Sequence, residues 1–286
     1  MDANFIEEFW QDLSEDIRKN RIALPSLPEI TLKTRKLLDN QNTNANMVAR
    51  AISADAVLTT RLIRVANSPL YRGSSHIDDV RTAVTRLGNL TVRHIVTNLA
   101  MQTLYQCSLP PQIRKLLVES WEHSLVVASI AYFLARKTGL LNPDEAMLAG
   151  LIHDIGTLPI LEYAELYPEL LKDDTLLHQV IMTLHPRVGE MILRTWEFAP
   201  ALVSAVADHE LKAYNPVGIT ANYTDLVITA NLLSSLLNRR QHRPQPPVDW
   251  ANIPSFRRLN LMPEETIASI REAREELVQI QQLFKG

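Results

Sequence analysis

Gly150-Leu151-Ile152-His153-Asp154-Ile155-Gly156 closes an apolar run that starts at Ala146. An imidazole beside a carboxylate is a pair of ligand types suited to a divalent ion. Upstream, Asn142 is a capping residue, Pro143 fits a first helical turn, and Asp144 and Glu145 complement the helix dipole. The pattern therefore predicts a helix that runs from there through Met147, Leu148, Leu151 and Ile152 and begins to unwind at His153-Asp154. Neighbouring helical side chains point about 100° apart, so both can reach one ion only if the backbone turns out of register there. Gly156 supplies the freedom for that turn.

Other candidate ligands lie at helix ends on either side. His123, in Trp121-Glu122-His123-Ser124, stands near the start of a predicted helix from about Glu119 to Thr138, which buries Val126, Val127, Ile130, Phe133 and Leu134 and stops at Gly139. His185 precedes a helix expected over Pro186 to Trp196, and Asp208-His209 ends one over Pro200 to His209. A further helix is expected over Thr224 to Asn238. Taken singly, each of these histidines fits a cap or a dipole-complementing role. Arriving together around His153-Asp154, they are candidates for one ligand set. His76, His94, His178 and His242 fall outside that order and are expected at the surface or in loops.

The N-terminal part reads as short amphipathic helices. Pro28 to Leu38 forms one, Asn44 caps the next, and Asp55 opens a third that Pro69 stops. Asp79 to Leu104 reads as helix, break at Gly88, helix. A DNA-recognition helix there would need a basic face, but Leu90, Val92, Ile95, Val96 and Leu99 leave little beyond Arg93 and His94. At the other end, Arg243-Pro244-Gln245-Pro246-Pro247 is a stiff linker, followed by a final helix over 263–284 whose apolar stripe is expected to pack on the rest of the chain.

Composition sets the class. The 286 residues are 46% hydrophobic, with 16 prolines and only 8 glycines, which suits helices punctuated at their ends. A net charge of -3 gives no overall footprint for nucleic acid or an anionic membrane. The lone Cys107 excludes an intramolecular disulfide and fits a reducing compartment. No secretory leader or bilayer-spanning run is read in the sequence, so a cytoplasmic location is expected. Glycine-rich phosphate loops and nucleophile elbows are absent too.

Several motifs then occur in a set order: Leu24-Pro25-Ser26-Leu27-Pro28, Asp55-Ala56-Val57-Leu58-Thr59 running into Leu62, Val65-Ala66-Asn67-Ser68, Ala83-Val84 with Leu87-Gly88, and the run at 150–156. Together they resemble an HDOD domain, a relative of the HD phosphohydrolases, over roughly residues 20 to 235. The resemblance implies an all-α, HD-superfamily-like fold: a helical segment over 1–19, an N-terminal helical lobe over 20–115, an HD-like lobe over 116–240, a linker over 241–262 and a C-terminal helix over 263–286.

It also implies a metal site of His123, His153, Asp154 and an aspartate on a later helix, where this chain has Asn231. An amide oxygen is a neutral donor, so a divalent metal (Fe, Mn, Zn or Mg) is expected to be held weakly, and none is obligatory. Asp225 lies nearly two turns away and substitutes poorly. His185, Asp208 and His209 resemble the extra ligands of the HD-GYP branch, which hydrolyses cyclic di-GMP. Thr157 stands where that branch has lysine, and 211–216 lacks Gly-Tyr-Pro, so this hydrolysis is not expected.

The implied role is that of a non-catalytic bacterial signalling or regulatory protein. It would act through a protein partner in trans or through a conformational change driven by a nucleotide or other small molecule, with no DNA or membrane partner. The alternative is a metal-dependent phosphohydrolase acting on a nucleotide or another phosphoester.

Overall fold

The computed structural model describes residues 2–40, 42–105, 110–216, 218, 220–237 and 250–285, and the regular structure among them is helical throughout. The linker 243–247, His242 and Cys107 lie outside the described residues. Helix α1 (Asp2–Arg18) is followed by α2 (Glu29–Asp39), α3 (Ala45–Ile52), α4 (Ala56–Ala66) and α5 (Val80–Leu104). The caps read from sequence are in place: Asn44 accepts from the Met47 N–H at 3.1 Å and Asp55 from the Leu58 N–H at 2.9 Å. Gly88 breaks α5, with φ 76° and ψ 161°, a conformation that favours a residue without Cβ.

Beyond Gly88, α5 packs against α2, α3 and α4 and buries Val92, Ile95 and Val96. His94 goes inside too at 1% exposure, contrary to its expected surface position, because α5 is buried on all sides from His94 to Gln102, with the helix over Pro143–Ile152 also packed against it.

Helix α6 (Pro111–Thr138) starts eight residues before its expected beginning, since Ile113, Leu117 and Trp121 extend the buried face backwards from Leu125. His123 is consequently an interior residue of α6, not one near its N-terminus. Gly139 ends the helix at φ 66°. Helix α7 (Pro143–Ile152) is capped by Asn142, which accepts from the Glu145 N–H at 3.0 Å. It lies so close to α6 that a Cβ on Gly150 would fall 2.7 Å from the Ala128 Cα.

A short helix that the sequence reading did not foresee, α8 (Thr157–Tyr163), follows directly. Helix α9 (Asp174–Thr195) begins twelve residues before its expected start at Pro186, with Asp173 capping it and Pro186 in its interior. His185 is therefore mid-helix and buried at 2% exposure. Helix α10 (Pro200–Asp208) sits within a residue of its expected bounds, and α11 (Tyr223–Leu237) starts within a residue of its expected start, its expected end at Asn238 lying outside the described residues.

Part of the region read as linker is folded: residues 250–252 make a 3-10 turn and α12 (Pro254–Arg258) follows. The expected final helix is two, α13 (Pro263–Glu272) and α14 (Arg274–Phe284), because Ala273 leaves helical geometry at φ -78° and ψ 9°. The segment docks as expected, with Ile270, Leu277, Ile280 and Phe284 buried and α14 against α6. At the opposite terminus, Phe9 of α1 packs on Tyr163 and Tyr167, whose hydroxyls donate to Asp16 and Asp12 at 3.0 Å each.

Candidate metal centre

The end of α7 is built by close packing. After Ile152 the backbone makes tight turns, with the Ile155 N–H on the Ile152 carbonyl and the Thr157 N–H on the Asp154 carbonyl. Gly156 has φ -65° and ψ -16°, open to any residue, so left-handed freedom is not why glycine is needed. The reason is space: a Cβ there would overlap the His185 carbonyl and lie 2.6 Å from the Gly189 nitrogen. The missing side chain lets α9 approach the His153-Asp154 turn.

That approach gathers the ligands. Asp154 Oδ1 lies 3.3 Å from His153 Nε2, 3.3 Å from His185 Nε2 and 3.4 Å from His209 Nε2, while Oδ2 lies 3.8 Å from His123 Nε2. Two overlapping ligand groups result, His123 with His153 and Asp154, and Asp154 with His185 and His209. Asp154 belongs to both.

The imidazoles are oriented by the backbone. Nδ1 of His153, His185 and His209 lies 2.8 Å from the carbonyls of Gly150, Ile181 and Val206 respectively. A carbonyl only accepts, so each Nδ1 carries the proton and, in the neutral ring, each Nε2 presents a lone pair. The lone pairs of His185 and His209 then face each other across 3.0 Å. Two such pairs at that distance need a positive centre between them or beside them, either a proton or a metal ion.

Charges in the cluster follow from burial. Burial pushes His153 down to about 3, so that ring is neutral. Burial likewise lowers His185. His209 is raised: burial alone would lower it, but the hydrogen bond and charge of Asp154 and the charge of Glu210 prevail. Burial would raise Asp154, yet His153, His209, His185 and His123 together hold it well below the usual carboxylate range. Asp154 and Glu210 thus favour a proton at His209. A divalent ion competes for the same lone pairs.

The residues fit a cation. His153 Nε2 is buried without a hydrogen-bond partner, and donors of this kind are satisfied by a metal. Nδ1 tethers to carbonyls are the usual means of fixing a ligating imidazole.

Of the other expected site residues, Asn231 does reach the cleft, where its amide donates to Glu210 Oε1 at 3.3 Å. Glu210 Oε1 is also 3.5 Å from His209 Nε2. The carboxylate absent at 231 is thus present beside it, supplied from another element. Glu210 is not among the residues the sequence points to, since no helical period reveals its approach to a residue twenty-one positions on. Asp208 stays outside both ligand groups. Its carboxyl is raised by burial and by the charge of Glu190. Asp225 is fully buried and committed to Arg258 and Ser255.

A cleft of about 400 Å³ opens above the cluster, with Leu116, Ile181, Met182 and Leu232 among its walls and Thr157 near its floor. Glu119, Asp154 and Glu210 line it, against Lys212 as the only lysine or arginine among its lining residues.

This arrangement sits within a recognised sequence pattern, since the HDOD domain profile matches residues 24–211. The chain belongs to the HDOD domain family. The match ends before α11, so Asn231 lies past the matched segment of this HDOD chain.

Among solved structures, the chain is similar to a "Putative metal-dependent phosphohydrolase" from Shewanella amazonensis SB2B, with TM-score 0.77, 24% identity and 99% of each chain covered. It is also similar to an HDOD domain protein with unknown function from Geobacter sulfurreducens, with TM-score 0.71, 24% identity and coverage of 96% of this chain and 98% of that one. At these identities the likeness establishes the shared fold. An uncharacterized protein of Treponema pallidum (strain Nichols) is 22% identical over 227 residues, which is 72% of this chain and 42% of that protein, so the chain spans under half the length of this relative. Among the described residues, no helix is long and apolar enough to cross a membrane.

Proposed function

We propose that this HDOD protein is a regulatory module whose cleft takes up a divalent cation and an anionic small molecule such as a nucleotide, and passes the resulting change to a protein partner in trans. The observation that carries the reading is the convergence of three backbone-tethered imidazoles on Asp154. A nitrogen-rich donor set of this kind suits Zn, Fe or Mn better than Mg, which prefers oxygen. When bound, the ion supplies positive charge that can hold a phosphoryl oxygen.

Binding is favoured over turnover by what surrounds the cluster. Asn231 is neutral where the resemblance calls for aspartate, Thr157 has no charge to offer a phosphate, and Lys212 shares the cleft lining with three carboxylates. The residues themselves orient the imidazoles, favour a proton at His209 and wall the cleft with apolar side chains. A metal-dependent phosphohydrolase is the second reading. It draws on the sharing of Asp154 between two ligand groups, a layout that allows a pair of ions, and on the name borne by the similar Shewanella protein.

Elemental analysis of protein reconstituted with Zn, Mn or Fe, alongside a phosphatase and phosphodiesterase screen, tests the two readings together. Metal retention without product formation is expected. Turnover that disappears in His153→Ala would establish the second reading, and no metal retention would remove both.

A further inference from the structure

Glu210 and Asn231 meet across two separate elements, the turn after α10 and the middle of α11. Something must hold those elements in register for a 3.3 Å contact between flexible side chains to persist. The Arg258 guanidinium, on α12, is in contact with both.

Arg258 Nε lies 3.0 Å from each carboxylate oxygen of Asp225, in the first turn of α11, and Nη2 contacts the same group. The Arg258 side chain is 7% exposed and that of Asp225 is fully buried. The remaining donors reach the other element: Nη2 donates to the Tyr214 carbonyl at 2.7 Å and Nη1 to Asn215 Oδ1 at 3.2 Å. Between Tyr214 and Glu210 the chain has little slack. The Leu211 N–H bonds to the Asp208 carbonyl, the Lys212 N–H to the Glu210 carbonyl and the Tyr214 N–H to the Leu211 carbonyl. Asn222, just before α11, grips the same loop through the Tyr214 hydroxyl at 3.1 Å.

We propose that Arg258 is a positioning residue for the candidate metal centre: it locks the 210–215 turn to α11 so that the Glu210 carboxylate stands beside Asn231 and His209, where an anionic ligand would otherwise be lacking. The C-terminal segment carrying Arg258 lies beyond the matched HDOD segment, so completion of the site depends on residues outside that match. A planar fork is required because one guanidinium serves a carboxylate and a carbonyl at once, which a lysine ammonium cannot reproduce in the same geometry. The inference rests on the cleft taking a divalent cation, as proposed above, and on Glu210 acting as a member of the site.

The test is a Zn²⁺ competition titration against a chromophoric chelator on full-length wild type, Arg258→Lys, Glu210→Gln and the double variant, with thermal midpoints taken in the metal-free state. Arg258→Lys keeps a positive charge beside Asp225, and it is expected to bind Zn²⁺ about tenfold more weakly. Glu210→Gln should lose a similar factor, and the double variant should bind no more weakly than Glu210→Gln alone, because Arg258 acts through Glu210.

A Zn²⁺ affinity for Arg258→Lys equal to wild type overturns the inference, as do losses that multiply in the double variant, which mark a merely structural role. Wild type that binds no Zn²⁺ overturns the reading of the site and this inference together, whereas wild-type binding with a silent Arg258→Lys overturns this inference alone. If Arg258→Lys does not fold, Asn215→Ala decides. It removes a loop acceptor of Arg258 while leaving the buried ion pair intact, and it too should weaken Zn²⁺ binding in wild type but not in Glu210→Gln.

Discussion

Glu210 Oε1 accepts from the Asn231 amide at 3.3 Å, joining the turn after α10 to the middle of α11 where both line the cleft. The pairing bears on the first prediction. Asn231→Asp would set two carboxylates against each other with the amide hydrogen bond gone. In metal-free protein this should lower stability by about 1 kcal/mol through like-charge repulsion and the lost bond. A divalent ion relieves the repulsion, so Zn²⁺ affinity should rise by about tenfold. Thermal midpoints with and without Zn²⁺ check both signs. A metal-free variant as stable as wild type, or weaker metal binding, counts against the placement of Glu210.

Gly156 offers a sharper steric test. Its Cβ position is filled by the backbone of α9, so Gly156→Ala must push that helix away from the His153-Asp154 turn. Backbone atoms cannot step aside as a flexible side chain can. A loss on the order of 3 kcal/mol is expected, with the ligands dispersed and Zn²⁺ binding gone. Urea unfolding and metal titration measure it, and an alanine variant of wild-type stability would show that the helices are spaced more widely.

The N-terminal half grips α7 at the end opposite the ligands. Tyr71 donates to Asp144 Oδ1 at 2.6 Å and Thr91 to Oδ2 at 2.9 Å, while Tyr223 of α11 donates to the adjacent Glu145 at 2.9 Å. Tyr71→Phe should cost roughly 2 kcal/mol, the range for a hydrogen bond to a charged group. Chemical denaturation gives the value, and a change below about 0.5 kcal/mol would contradict a buried, charge-assisted bond.

Acid stability of the metal-free protein follows from the buried histidines. His153 is pushed down to about 3 by burial, and His94 is lowered by burial too, so folding keeps them neutral. The contribution of His153 is complete above an unfolded value near 6.5 and is lost as pH falls from there toward about 3, and that of His94 is lost in the same direction. Asp154, held well below the usual range, adds a loss of the same sign below its ordinary value. His209 is raised, so its contribution is present below about 6.5 and is lost as pH climbs through its folded value. Metal-free stability should therefore decline on the acid side by a few kcal/mol in total and soften slightly above neutrality. Unfolding free energies from pH 4 to 8 test the shape, and a flat profile would be incompatible with a buried neutral cluster.

Local signals in the sequence carried much of the fold. Asn44, Asp55 and Asn142 cap where their side chains predict, because a cap is decided within four residues. The starts of α6 and α9 were misplaced because no comparably clear cap preceded the apolar stripe of α6, and because Pro186 reads as a boundary although it lies inside α9. Of the candidate site, His123, His153, Asp154, His185 and His209 do converge, as the ordered resemblance implies. Their tautomers, the approach of Glu210 to Asn231 and the commitment of Asp225 to Arg258 were beyond reach from sequence. Each depends on how separate helices pack, and helical periodicity describes one helix at a time. Gly156 illustrates the difference, being needed for a neighbour thirty residues away and not for its own backbone angles.

The facing lone pairs of His185 and His209, with His153 and Asp154, are proposed to hold a cation. Anomalous diffraction at the zinc edge from crystals of Zn²⁺-reconstituted protein decides whether they do. A peak bonded to Asp154 Oδ1 and to Nε2 of at least two of His153, His185 and His209 is expected. A map without such a peak, with His185 and His209 still about 3 Å apart and bridged by a proton, would contradict it.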